Sequence, residues 1–89
     1  MTLPHAETIA LNGLAFLVSQ PEQIERFLRN SGLDAASLRS RAADPDVLRA
    51  VLEYILAGDG TTGGFCAEQG LDPRDLFAAH QALSDSREM

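Results

Sequence analysis

The chain has 89 residues, a formal charge of −6 and a single cysteine, with 45% hydrophobic and 22% charged residues. This is enough for one domain with a modest core, too apolar for a disordered chain, and too poor in cysteine for a disulfide framework or a thiolate metal cluster. No apolar run approaches the roughly 18 residues that span a bilayer, and MTLPHAET lacks the basic region that opens a signal peptide; a cytoplasmic location without membrane association is expected.

Taken in chain order, helix signals recur and strand signals do not. From about His5 to Ser19 the residues Ile9, Leu11, Leu14, Phe16, Leu17 and Val18 make a helix apolar nearly all round, the pattern of an element with little solvent face. Ser19 and Glu22 have capping-box spacing around Pro21, predicting a second helix to about Asn30 with Ile24, Phe27 and Leu28 inward and Gly32 as its terminator. Asp34 is placed to cap a third helix over about Ala35 to Ala43. Asp44-Pro45-Asp46 combines an acceptor at the N-cap, a proline at the first helical position and a carboxylate beside the positive end of the dipole. It opens a fourth helix with Leu48, Val51, Leu52, Ile55 and Leu56 at helical spacing.

The run GDGTTGG, Gly58 to Gly64, reads as a permissive corner in which Thr61 or Thr62 caps a short fifth helix reaching about Gln69. Asp72-Pro73-Arg74-Asp75 repeats the cap-plus-proline device and opens a sixth helix, with Leu76, Phe77, His80 and Leu83 expected inside. The final residues, 84–89, read as a frayed tail. The expected fold is all-α: one domain, a compact bundle of five to six short helices.

Shifting the chain by 38 positions lays Leu14 on Leu52, Phe27 on Phe65, Gly32 on Gly70, Leu33 on Leu71, Asp34 on Asp72 and Leu38 on Leu76. The same shift lays Phe16 on Tyr54 and Val18 on Leu56. These matches fall on predicted caps and inner faces, which predicts two quasi-repeated three-helix units, about 5–43 and 44–84, with the first and fourth helices in contact at the centre. Neither unit is large enough to bury its own face alone. Charge does not follow the repeat. Residues 1–43 balance four acids with four arginines, whereas residues 44–89 hold nine acids against three arginines and so carry the whole net charge.

Each of the two Gly-Leu-Asp corners resembles the turn of a helix-turn-helix, a spacing shared by many tightly crossed helix pairs that bind no DNA. The second corner opens on Asp72 and Asp75, which phosphate repels. The first is less hostile, since Arg26 and Arg29 on the second helix and Arg39 and Arg41 on the third form a candidate interaction surface. Glu22–Arg26 and Glu25–Arg29 also stand at the i,i+4 spacing of ordinary surface pairs. The glycine-rich run lacks the lysine and the preceding strand of a phosphate loop, and Asp59 alone is too few acids for a calcium loop. Cys66 is expected inside, and His80 reads as a packing residue rather than its catalytic partner. Two histidines without cluster spacing imply no metal, and no residue set calls for a cofactor.

The run from Pro21 to Pro73 resembles a family of short, uncharacterised all-helical proteins of alphaproteobacteria. The resemblance rests on Pro21-Glu22, Phe27-Leu28, Gly32-Leu33, Leu38 to Pro45, Val51 to Leu56 and Phe65 to Pro73, and covers about residues 8–84. The chain departs from that pattern in its glycine-rich corner. The resemblance implies a stand-alone helical cytoplasmic protein and supplies no catalytic residue. The leading expectation is therefore a protein-interaction or regulatory module, with an unknown protein partner or a homodimer contact. A weak nucleic-acid binder using the second and third helices is the alternative, and an enzyme with no recognisable site ranks third.

Overall fold

Helix α1 spans Leu3–Val18. It begins two residues before the predicted start because the Thr2 hydroxyl accepts from the His5 N–H at 3.3 Å, which makes Thr2 the N-cap and puts Pro4 in the first turn. At the other end Ser19 closes α1 instead of opening the next helix, and its hydroxyl donates to the Phe16 carbonyl at 2.7 Å. The N-cap of α2 (Pro21–Ser31) is Gln20, without a side-chain bond, so the expected capping box is replaced by the preset φ of Pro21. The computed structural model describes residues 1–85.

The remaining helices are α3 (Ala35–Ser40), α4 (Pro45–Ala57), α5 (Asp59–Gln69) and α6 (Pro73–Asp85), making six helices and no strand among the described residues. Gly32 and Gly70 end α2 and α5 in the left-handed conformation, at φ of 76° and 66°. That conformation costs a residue with a Cβ. Leu33 and Leu71 are half-buried behind them. Asp34 then accepts from the Ser37 N–H at 2.7 Å, and Asp72 from the Arg74 N–H at 2.9 Å. These backbone bonds hold both carboxyls below the ordinary carboxylate range. Asp44 caps α4 through the Asp46 N–H at 2.8 Å.

From Asp59 on the glycine-rich run is helical rather than a corner; Gly58 alone is extended, and it stands at the N-cap expected of Thr61 or Thr62. Thr62 explains part of this, since its hydroxyl donates to the Ile55 carbonyl at 2.6 Å and satisfies the end of α4 while Thr62 itself sits in the first turn of α5. On α6 the inner residues are Leu76, Ala79 and Leu83. Phe77, expected inside, is 62% exposed, because the i, i+3, i+7 stripe of Leu76, Ala79 and Leu83 already meets the core and Phe77 lies one position off it. Ser84 and Asp85 belong to the last turn of α6, and the rest of the expected frayed tail lies outside the described residues.

Helices α1, α4 and α6 pack against one another, and α2 and α5 flank α1 and α4 respectively. Leu17, Leu48, Leu52, Ile55, Leu76 and Leu83 are fully buried among them. Gly13 permits the α1–α4 approach: a Cβ at that position would lie 2.9 Å from Ile55 Cδ1. Two aromatic pairs tie the halves together, Phe16 on Phe65 at 5.4 Å between ring centroids and Tyr54 on Phe27 at 5.8 Å. Moving each residue of the first pair by 38 positions gives the second. Tyr54 also donates a hydrogen bond to Gln23 Oε1 at 2.6 Å. The third helices differ, with six residues in α3 and 13 in α6. The Cα radius of gyration of 12.0 Å equals the ~12 Å expected of one compact domain of this length. The Cα extents of 31 × 29 × 17 Å describe a body two helix layers thick.

Candidate functional site

The short third helix has a local cause. Asp34 starts α3, and Pro45 forces the preceding Asp44 out of helical geometry and into the N-cap of α4. Helix α3 therefore has six residues before the turn at Arg41–Ala43, a length of about 9 Å against about 24 Å for α1. The last turns of α1 are left incompletely covered.

The result is a groove of about 340 Å³ between α1, α2 and α3. Leu14 and Val18 form one wall, Ile24 and Leu28 the other, and Leu38 with Arg39 closes the end contributed by α3. The lining is apolar apart from Arg39. Leu38 is buried, whereas Leu14, Ile24 and Leu28 are only half-buried. Val18 stands 56% exposed at the lip, and Leu11, one turn back from Leu14, is 43% exposed. The nearly all-round apolarity of α1 is thus only partly used inside the molecule. Leu11, Leu14 and Val18, at 3 and 4 spacing, form a stripe open to solvent beside the buried face of Ile9, Ala10 and Leu17.

Of the four arginines singled out in the sequence, the structure brings Arg39 to this groove. Arg26 and Arg29 are exposed on α2, on the side away from the Ile24, Phe27 and Leu28 stripe by helical spacing. Neither closes the anticipated ion pair with Glu22 or Glu25 among the described residues. Arg41 pairs with Asp44 at 3.3 Å and faces a different recess, shared with Asp46 and Val47. The four are spread over three surfaces.

The groups tested for chemistry are engaged elsewhere. Cys66 is buried, and burial, followed by the charges of Asp72 and Asp75, pushes its thiol up from the ordinary value. The His80 ring shares a hydrogen bond of 3.0 Å with Glu53, which also takes Arg49 at 3.3 Å, so this cluster bridges α4 and α6. Among the described residues no three metal-binding side chains gather, and no helix is long and apolar enough to cross a membrane.

The groove is the feature that sequence reasoning missed. Its signal was present in the spacing of Leu11, Leu14 and Val18, which lies on a helix already carrying a second apolar face. Compared with known families, residues 4–86 match one described as a protein of unknown function, DUF3572. No curated protein and no solved structure matches the chain.

Proposed function

We propose that this chain, which belongs to the DUF3572 family and takes no activity from it, acts in the cytoplasm by binding another protein through the groove between α1, α2 and α3. The observation that carries the reading is the half-covered apolar lining of Leu14, Ile24 and Leu28 with Val18 exposed at its lip. Fully burying one such aliphatic side chain contributes about 1.5–3 kcal/mol, so a partner that covers several of them has a substantial apolar driving force before any polar contact is counted. An adaptor or regulatory role fits better than catalysis, because burial pushes the Cys66 thiol up, which disfavours a nucleophilic thiolate, and the His80 ring is hydrogen-bonded to Glu53. The spread of the arginines supports protein over nucleic acid as the partner, since phosphate tracking needs a continuous basic face.

The test is site-specific photo-crosslinking in the cells that make the protein, with the reactive group placed at Val18 and, as a control, at the exposed Glu68 of α5. A discrete crosslinked species from position 18, missing from position 68 and lost when Leu28 is changed to Glu, is the expected result. Equal patterns from both positions would overturn the assignment of the groove.

A further inference from the structure

Resting on the groove as a protein-binding site, we infer that its occupant is an amphipathic helix with an acidic flank, laid along the Leu11–Leu14–Val18 stripe so that its carboxylates meet Arg39. Three observations lead there.

The first is the shape of the open surface. Leu11, Leu14 and Val18 follow the 3–4 spacing that a second helix reads as a seam. The stripe runs into the groove walls of Ile24, Leu28 and Leu38.

The second comes from the chain's other half. Moving the half-buried groove residues Leu14 and Leu28 by 38 positions gives Leu52 and Cys66, which are buried, while the exposed Val18 falls on the half-buried Leu56 and the buried Leu38 on the buried Leu76. In that half α4 is covered by α5 and by the 13-residue α6, which also packs on α1. The element in the corresponding place of the first half is α3, with six residues. The missing cover therefore has the dimensions of a helix rather than of an extended strand or a small molecule.

The third is charge. Arg39 is the one charged group in the lining, it is exposed, and it enters no described ion pair. The net −6 of the chain lies in residues 44–89, while residues 1–43 are neutral. Over a molecule 31 Å long, with screening over about 8–10 Å in physiological salt, the local arginine governs which charge the groove prefers. A second copy of the chain is a poorer occupant. The core-facing residues of its α6 are already committed, leaving Phe77 as the exposed large apolar residue of that helix, and the α1 stripe of a second copy lies on a helix with Glu7 as its one carboxylate, too few for an acidic flank.

The experiment titrates two synthetic helical peptides into the full chain and follows its leucine and valine methyl signals. Both peptides have 13 residues, the length of α6, and the same leucine face at i, i+3, i+4 and i+7; one carries glutamate on its flanks and the other lysine. The expected result is saturable perturbation of Leu14, Val18, Leu28 and Leu38, with the glutamate peptide about tenfold tighter at low salt. Arg39→Glu should reverse that preference, and Val18→Glu, an exposed substitution that leaves the core untouched, should abolish it. Equal binding of the two peptides overturns the acidic-flank inference while leaving the groove as a protein site. If neither peptide perturbs these methyls up to about 1 mM, the helical occupant is overturned, and the crosslinking from Val18 decides separately whether the groove reading survives. Perturbation of Leu11 and Val18 that grows with protein concentration in the absence of peptide identifies a second copy and also overturns the inference.

Discussion

The α1–α4 crossing makes a quantitative prediction, because one atom pair sets its closeness. A Cβ on Gly13 would stand 2.9 Å from Ile55 Cδ1 and 3.3 Å from Val51 Cγ1, and both partners are fully buried. Gly13→Ala brings two opposed effects. Within a helix the alanine is favoured over glycine by about 0.8–1 kcal/mol. Adding a methyl to a filled core costs about 1–3 kcal/mol when side chains must leave their rotamers. The Ile55 tip is the flexible end of its side chain but is enclosed on all sides, so the steric cost should win, with a net destabilisation of about 1 kcal/mol. Ile55→Val removes the opposing Cδ1 and by itself costs about 0.5–1.5 kcal/mol.

Combining the two should not add their costs. The alanine methyl enters the room that Cδ1 leaves, the steric penalty falls away, and the helix propensity gain remains. Gly13→Ala should therefore be neutral or mildly stabilising in the Ile55→Val background, a coupling of about 1–2 kcal/mol. Urea and thermal unfolding followed by far-ultraviolet circular dichroism measure it directly. At this chain length each kcal/mol moves Tm by about 4–8 °C, so the coupling is well resolved. Additivity within about 0.5 kcal/mol would refute the reasoning, since it would mean that Gly13 does not set the approach of α1 to α4 through Ile55.

Further outcomes follow from the same structure. Gly32→Ala and Gly63→Ala, each with no atom within 4 Å of the new Cβ, should shift stability in opposite directions by about 1 kcal/mol. Gly32 has a positive φ that alanine resists, whereas Gly63 lies inside α5, where alanine is favoured; equal signs in urea unfolding would contradict this. Cys66 should react with a thiol reagent at pH 8 at least about tenfold more slowly in the folded chain than in urea, because burial and two acidic neighbours disfavour the thiolate. Because its folded pKa is raised, the associated stability is fully present below the unfolded thiol value near 9.0 and is lost as pH rises, a slope that Cys66→Ala should remove. For Asp34 the sign is reversed. Its depressed pKa contributes stability above the unfolded value near 3.8 that is lost as pH falls through the folded value, so Asp34→Asn should flatten the acid limb of the stability curve.

What could be read from the sequence was what depends on neighbours along the chain. Asp34, Asp44 and Asp72 bond backbone groups two or three residues away, and Gly32 and Gly70 answer a local need for positive φ; both kinds of signal are written within a single turn. The contact of α1 with α4 was also legible, because no other helices are so apolar. Failures came where the deciding partner lies in another element. Thr62 is part of α5 while satisfying Ile55 at the end of α4, so GDGTTGG looked like a loop although its backbone is helical from Asp59 on. Phe77 looked internal because it is aromatic, but the space under α6 is filled by Leu76, Ala79 and Leu83. Of the four arginines Arg39 alone lies at the groove, since sequence proximity put Arg39 and Arg41 together and the structure sends them to different recesses.

The groove follows from the same accounting applied to lengths. Between the cap of α3 at Asp34 and the cap of α4 at Asp44 lie nine residues, of which the turn at Arg41–Ala43 leaves six helical, about 9 Å of cover at 1.5 Å per residue. Helix α6, by contrast, has 13 residues, about 20 Å. The stripe from Leu11 to Val18 extends about 10 Å along α1, comparable with the difference between the two. A half-covered apolar stripe raises the risk of non-specific association, and polar substitution at Leu11 and Val18, neither of them in the buried core, would reduce it. Keeping leucine and valine at those positions is therefore a cost to the isolated chain unless something covers them. The proposed partner helix would make the short α3, the open stripe and the single arginine at the groove's end parts of one design.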